Sequence, residues 1–488
     1  MNIVFISSEA VPFIKTGGLA DVAGFLPKIL EKHGCKVKVF LPLYSLILKK
    51  NFSLIQRTDL GEITIEVAGQ SYLVQLYQSV LPDSNVEVNF IHCPHFFNRS
   101  CVYTNDPDED QRFILFSKGV MEFLIKLNWH ADIIHCNDWQ TGLIPIYIKD
   151  NYRHHSIFAK TKTLFTIHNI GYQGKFPYSA FINADLNHEY FFSEGPVVTD
   201  NHFSFLKTGL WFSDIITTVS ETYANEILTP EFGSGLENVL LFKKDHLYGI
   251  LNGVDYALWN PETDHHLPFN YSQNDLSGKL ENKRYLLKRF NLDFYDNIPL
   301  IGIVSRFAGQ KGFDIFAEAV PDLMLLNAQW IILGSGETKY ESLFKSIAGY
   351  YPRKIASHIG FDEELSHLIE AGADIFLMPS HYEPCGLNQI YSLKYGTVPV
   401  VRKTGGLADT IQDWDESLYS GNDNGNGFSF FDYSHYALSL SVRRAVSTFR
   451  FKETWHKIQI NGMKNDFSWD KSALKYLLLY EKLLKPGY

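Results

Sequence analysis

Lys15-Thr16-Gly17-Gly18-Leu19-Ala20-Asp21 recurs unchanged as Lys403-Thr404-Gly405-Gly406-Leu407-Ala408-Asp409. Each copy follows an apolar, strand-like run, Asn2-Ile3-Val4-Phe5-Ile6 before the first and Val398-Pro399-Val400-Val401 before the second. Each leads into a helix-like pattern, Leu19–Leu30 and Leu407–Trp414. Strand, Gly-Gly turn and helix is a geometry in which backbone N–H groups at a helix N-terminus face outward and bind an anion. Used twice, it predicts two α/β halves that each offer one loop to a shared cleft. The competing reading is a turn with a purely structural task.

Working outward, short β-rich runs alternate with helical patterns through both halves, the signature of parallel sheets with crossover helices. Strands are expected near Ile3–Ile6, Val37–Leu41, Val86–Ile91, Ile133–His135, Leu164–Ile167 and Ile215–Val219. The alternation restarts with Leu300–Ser305, Trp330–Leu333, Ile375–Met378 and Val398–Val401. Between the halves, Asn252-Gly253-Val254-Asp255 and Asn260-Pro261 are turn chemistry. The expected division is therefore an N-terminal Rossmann-like domain over 1–251, a second over 252–466, and a C-terminal helix over 467–488. That helix, capped by Ser468 and ended by Pro486-Gly487, is apolar on most faces and expected to be buried, packing back on the first domain. The fold class is α/β, two doubly wound domains with their functional loops at the carboxyl ends of both sheets.

Bulk properties narrow the partners. The 488 residues suit two domains. With 45% apolar and 20% charged residues, they resemble a soluble globular chain. A net charge of −10 without any Lys/Arg-rich block argues against nucleic acid. Five cysteines without metal-type spacing point to reduced thiols in a cytoplasmic protein. Met1 runs straight into a strand, leaving no room for a leader, and no apolar run approaches the ~20 residues of a membrane span.

Chemistry-bearing residues cluster after the strands. Arg306 and Lys311 follow Leu300–Val304, and together can clamp a phosphate pair, Arg bidentately and Lys as a point charge. Glu383 stands before Pro384-Cys385-Gly386-Leu387, where a helix can begin; it either accepts from sugar hydroxyls or complements the helix dipole. His168-Asn169 and Asn137-Asp138-Trp139-Gln140 follow two further strands. Alone, His168 reads as a core histidine and Asp138 as a cap for a helix near Gln140. Gly334-Ser335-Gly336 lacks the third glycine of a dinucleotide fingerprint, because Lys339 stands there. Asp106–Asp110 and Asp413-Trp414-Asp415 have Asp-x-Asp spacing but do not follow strands, so no metal is expected.

Taken in order, these motifs resemble the bacterial glycogen synthase and plant starch synthase family, retaining glucosyltransferases of the GT-B fold. The resemblance runs nearly end to end, through the two heptapeptides, His168-Asn169, Gly249–Asp255, Ser305-Arg306-Phe307 with Lys311-Gly312, and Glu383–Leu387. It implies transfer of glucose from ADP-glucose to the nonreducing end of an α-1,4-glucan, with closure of a hinge and no metal cofactor. UDP-glucose or another donor is the alternative, and a non-catalytic sugar-nucleotide or glucan binder is a weaker one. By the family pattern Lys15, His168, Arg306, Lys311 and Glu383 carry catalysis. Gly17, Gly18, Asp21, Tyr103, Asp138, Asn169, Asn252, Gly334, Phe361, Cys385, Gly386, Leu387, Thr404, Gly405 and Gly406 line the substrates. Many relatives have His-Asp-Trp-His where this chain has Asn137-Asp138-Trp139-Gln140. Asn388 and Phe361 replace the Thr and Tyr common on the nucleotide side.

Overall fold

In a computed structural model, residues 1–193 and 195–485 are described. Pro486 and Gly487, the expected helix stop, lie outside them. The chain divides into two compact units. The first comprises Met1–Val219, Ala224–Gly253 and the segment from Trp469; the second comprises Ser220–Tyr223 and Val254–Ser468.

The first unit is built on a ten-stranded sheet. Its parallel part runs, in spatial order, Leu247–Gly249, Ile215–Thr218, Lys162–Ile167, Ile133–Asn137, Asn2–Ile6, Lys36–Pro42 and Glu87–His92. Counted along the chain that order is 7-6-5-4-1-2-3, so the direction of winding reverses between Asn2–Ile6 and Ile133–Asn137, which pair Ile6 with Cys136. Four of the five Asn2–Ile6 residues, like all of Ile133–Asn137, are buried. This is why both read as continuous apolar runs. Beyond Glu87–His92 the sheet turns antiparallel through Gln70–Val80, flanked by Ile55–Gln56 and Ile63–Val67. The sequence reading missed this edge. Gln70–Val80 is mostly half-exposed, so it shows neither a clean alternation nor an apolar run.

The second unit holds a six-stranded sheet, all parallel, in the order Ile355–Ile359, Gln329–Gly336, Leu300–Phe307, Ile375–Met378, Val398–Arg402, Phe428–Phe430. Along the chain this is 3-2-1-4-5-6, with the reversal between Leu300–Phe307 and Ile375–Met378. One apolar layer, including Phe316, Trp330 and Phe344, fills one face; another, including Leu286, Ile369 and Phe376, fills the other.

The C-terminal helix Trp469–Leu484 belongs to the first unit and packs beside Gly18–Lys32. It buries one stripe (Ala473, Tyr476, Tyr480, Leu483) and leaves Leu474 and Leu478 in solvent, so the expectation of a helix buried on most faces is corrected. Beneath it, Tyr480 Oη lies 2.6 Å from His135 Nδ1, and His135 Nε2 2.7 Å from Thr166 Oγ1. Among the described residues no helix is long and apolar enough to cross a membrane.

Candidate active site

In the second unit the loops on either side of the reversal are stitched together. Gly312 has φ +74°, and a Cβ there would lie 1.9 Å from the Pro379 carbonyl oxygen, so only glycine lets the two loops touch. His381 N donates to Gln310 O at 2.8 Å, and Gln310 Nε2 to Tyr382 O at 3.2 Å. The result is a 2.6 Å ion pair between Lys311 Nζ and Glu383 Oε2, with Ser380 Oγ donating to the same oxygen at 2.9 Å. Glu383 is buried, Lys311 half-buried. Read separately, one residue faced a phosphate and the other a sugar. The structure couples them: one ammonium hydrogen holds the carboxylate, leaving two for a ligand. Arg306, at the end of Leu300–Phe307, is exposed, and its guanidinium has no partner among the described residues.

The remaining expected residues of this unit lie at or just beyond the ends of its strands. Gly334 lies beside Ser305 in the strand register, and its carbonyl accepts from Gly360 N at 2.9 Å, fixing the turn that carries Phe361. Phe361 is 89% exposed, a free aromatic face. Cys385 is buried, and the Cys385 and Gly386 carbonyls accept from Gln389 Nε2, leading into the helix Asn388–Lys394 that begins after Leu387. Asn388 Nδ2 donates to Val304 O at 2.7 Å, anchoring that helix to the central strand. Thr404 precedes the short helix Gly405–Thr410, whose glycines press against the Glu383–Cys385 backbone.

In the first unit, Gly17 is the cap and Gly18 the first residue of the helix Gly18–Lys32. The anion reading of this turn needs a correction. The amides of Thr16 and Gly17 already bond the carboxylate of Glu9, which Tyr103 Oη also reaches at 3.3 Å. Burial pushes the Glu9 carboxyl above the ordinary range, against the pull of those donors. The next two amides, of Gly18 and Leu19, have no partner among the described residues, so the open part of the nest is one residue further into the helix. Lys15 pairs with Asp21 at 2.8 Å and stays half in solvent.

Across the reversal, Asp138 has φ +54° and does not cap the helix that follows, contrary to the simplest reading. Its carboxylate instead accepts the His168 N–H at 2.7 Å and a bond from the Asn169 backbone. Burial raises it to about 7 despite those bonds. His168 is half-buried, and its Nε2 lies 2.9 Å from Asn137 Oδ1. Asn169 Oδ1 holds the turn by accepting from Gly171 N. Asn252 is buried, and its side-chain oxygen has no hydrogen-bond partner among the described residues. Glu9, Asn137 and Ser380 were missed in the sequence. Asn137 carried a readable signal, a polar residue closing the buried strand Ile133–Asn137.

The two Asp-x-Asp pairs are neutralised by arginines: Arg99 bonds Asp106 and Asp108, and Arg444 bonds Asp413 and Asp415. Asp264, His265 and His266 bring ligand-type atoms within 4.8 Å of one another. Asp264 Oδ2 there already accepts from His367 at 2.7 Å and Tyr395 at 2.6 Å.

Comparison with known proteins places this geometry. Residues 2–241 match the starch synthase catalytic domain and residues 286–461 the glycosyl transferases group 1 family. The chain is 43% identical to a glycogen synthase of Pseudothermotoga lettingae over 488 residues, covering 99% of each. It is 42% identical to one of Thermotoga maritima over 487 residues, again covering 99% of each. A starch synthase IV catalytic domain from Arabidopsis thaliana, solved with ADP and acarbose, superposes with a TM-score of 0.91 at 32% identity, covering 99% of both chains. Sucrose-phosphate synthase from Thermosynechococcus elongatus shares the fold, with a TM-score of 0.59 at 15% identity over 99% of this chain and 98% of that one. With two parallel α/β units and full-length identity of this order, the chain belongs to the glycogen synthase and starch synthase family of retaining GT-B glycosyltransferases.

Proposed function

We propose that this chain elongates an α-1,4-glucan by transferring glucose, with retention, from ADP-glucose to the nonreducing 4-hydroxyl, in the cytoplasm. The observation that carries the proposal is the Lys311–Glu383 pair beside an unpartnered Arg306 at the strand reversal of the second unit. Departure of the leaving group places negative charge on a diphosphate. Preorganised cations stabilise that charge, and loss of one such donor lowers the rate by roughly 10²–10³. Arg306 and the two remaining Lys311 hydrogens are assigned to the diphosphate. Glu383, held by Lys311 and Ser380, is assigned to sugar hydroxyls, and Phe361 to the base. In the first unit, Lys15 and the Gly18 and Leu19 amides are assigned to the donor, and Tyr103, Asp138 and His168 to the glucosyl side.

The ADP preference is supported by the relative solved with ADP. No resident metal is assigned, because the cationic side chains supply the charge that a metal would otherwise bring. The deciding experiment mixes purified protein with glycogen and ADP-glucose or UDP-glucose, with and without EDTA, and follows nucleotide release and chain growth. Growth from ADP-glucose that survives EDTA is the expected result. Growth only from UDP-glucose moves the donor assignment, and no growth from either nucleotide-glucose sinks the proposal.

A further inference from the structure

Asn137 closes the strand Ile133–Asn137 and is fully buried. It stands between two neighbouring strands, Asn2–Ile6 on one side and Lys162–Ile167 on the other. Its Nδ2 donates to the Ile6 carbonyl at 2.9 Å, and its Oδ1 lies 2.9 Å from His168 Nε2. A carbonyl only accepts, so the amide must turn its NH₂ toward Ile6 and its oxygen toward the imidazole. An oxygen facing a ring nitrogen at that distance requires the nitrogen to carry hydrogen.

We infer that Asn137 is a positioning residue that locks His168 in the Nε2–H tautomer, so that its Nδ1 faces the glucosyl substrate as an acceptor for a sugar hydroxyl. Nδ1 has no hydrogen-bond partner among the described residues, whereas Nε2 and the backbone N–H are both engaged. The ring is neutral as well as oriented, since burial pushes His168 down to about 3. The titratable groups facing it within its unit are Asp138, which holds its backbone amide, and His135 on the strand Ile133–Asn137. Glu9 and Tyr103 stand behind Asp138. The adjoining strand Ile215–Thr218 brings no ionisable side chain. A neutral, Nε2-protonated His168 therefore shows a lone pair, and not a proton, on its open side.

Because the tautomer is a property of the protein without substrate, one test does not depend on the assigned reaction. Histidine-selective ¹⁵N labelling with a long-range ¹H–¹⁵N correlation, assigned by loss of one ring signal in His168→Gln, reads both ring nitrogens directly. The expected pattern is protonated Nε2 and bare Nδ1 from pH 6 to 8. A ring protonated at Nδ1, or at both nitrogens, at pH 7 overturns the inference. The kinetic arm rests on the glucosyltransferase reading. Asn137→Asp keeps an acceptor but places a negative charge on the ring. It should move the acidic limb of the kcat profile upward by at least about one pH unit, since the imidazolium gains a partner. Asn137→Leu should lower kcat roughly 10–100-fold, by analogy with the loss of an outer partner that orients a metal-bound histidine, with the donor KM little changed. A purely structural Asn137 would lower thermal stability in both variants and leave the shape of the pH profile unchanged. That outcome also overturns the inference, even if the chain proves to transfer glucose.

Discussion

The two copies of Lys-Thr-Gly-Gly-Leu-Ala-Asp share every side chain and almost none of their contacts. The first follows strand 1 of its sheet in chain order, and the second follows strand 5 of the other. In the first copy, a Cβ on Gly18 would meet nothing within 4 Å. In the second, a Cβ on Gly405 or Gly406 would lie 2.0 Å from the carbonyl oxygen of Glu383 or Cys385, and Gly405 has φ +45° besides. The first copy leaves the Gly18 and Leu19 amides open, while in the second the amides of Gly406, Leu407 and Ala408 all bond protein carbonyls. Lys15 turns back onto Asp21; Lys403 reaches out to Glu416, and Asp409 accepts from Thr222. The same seven residues thus form an open nest of amides at one place and a spacer that seats a neighbouring loop at the other. What a glycine does is decided by the backbone opposite it, which its own sequence does not contain.

That contrast has graded consequences. The largest effect should come from the charge centre that the second copy supports. Lys311→Ala should lower kcat by roughly 10²–10³ with the far-UV spectrum unchanged. A near-normal rate would move the chemistry away from the Lys311–Glu383 pair. Next, Gly406→Ala should destabilise by about 3 kcal/mol or more through overpacking against fixed backbone, visible as a clear drop in the thermal midpoint. Gly18→Ala should leave that midpoint unchanged or slightly raised, yet raise the KM for ADP-glucose by about tenfold or more, because the methyl occupies space needed for close phosphate approach. If the two glycine variants behave alike, the distinction between nest and spacer is broken.

A smaller effect sharpens the first loop's surroundings. The folded Asp138 carboxyl, at about 7, lies above the ordinary carboxylate value, so the native state keeps a proton that the unfolded chain releases between about pH 4 and 7. Its contribution to stability is complete below about pH 4 and lost as pH rises through about 7. Asn cannot ionise and tolerates the positive φ, so Asp138→Asn should melt higher than the parent at pH 8.5, with the gap narrowing at pH 5.5. Equal gaps at both pH values would refute the burial argument. Smallest of all, Lys403→Ala, which removes an exposed pair with Glu416, should change stability by less than about 0.5 kcal/mol and turnover by less than about twofold.

Much of this was legible before any coordinates. Buried parallel strands such as Ile375–Met378 declare themselves as uninterrupted apolar runs, and the Arg306, Lys311 and Glu383 loops follow such runs directly. The antiparallel edge and the two- and three-residue strands did not, because half-exposed or very short segments carry no period to count. Within the site, Asp138 looked like a helix cap, and Glu9 carried no signal at all. Their actual tasks depend on amides contributed by residues up to 31 positions away in sequence, at Asn169 and at Thr16. Local chemistry can nominate such residues, but only the sheet order brings the partners together.

The path of the chain through its two units bears on how it is made. The second unit is nearly one continuous stretch, Val254–Ser468, whereas the first is left at Gly253 and rejoined only at Trp469. His135, in the fourth parallel strand of the first sheet, waits for the Tyr480 hydroxyl, and Ser472 Oγ donates to the Leu251 carbonyl at 2.6 Å. A ribosome that has released everything up to Ser468 has supplied all of the later unit and still withholds a wall of the earlier one. The usual N-terminal-first order of domain maturation therefore does not apply simply here: the first-made half acquires its last wall, from Trp469 on, only after every residue of the second has been made.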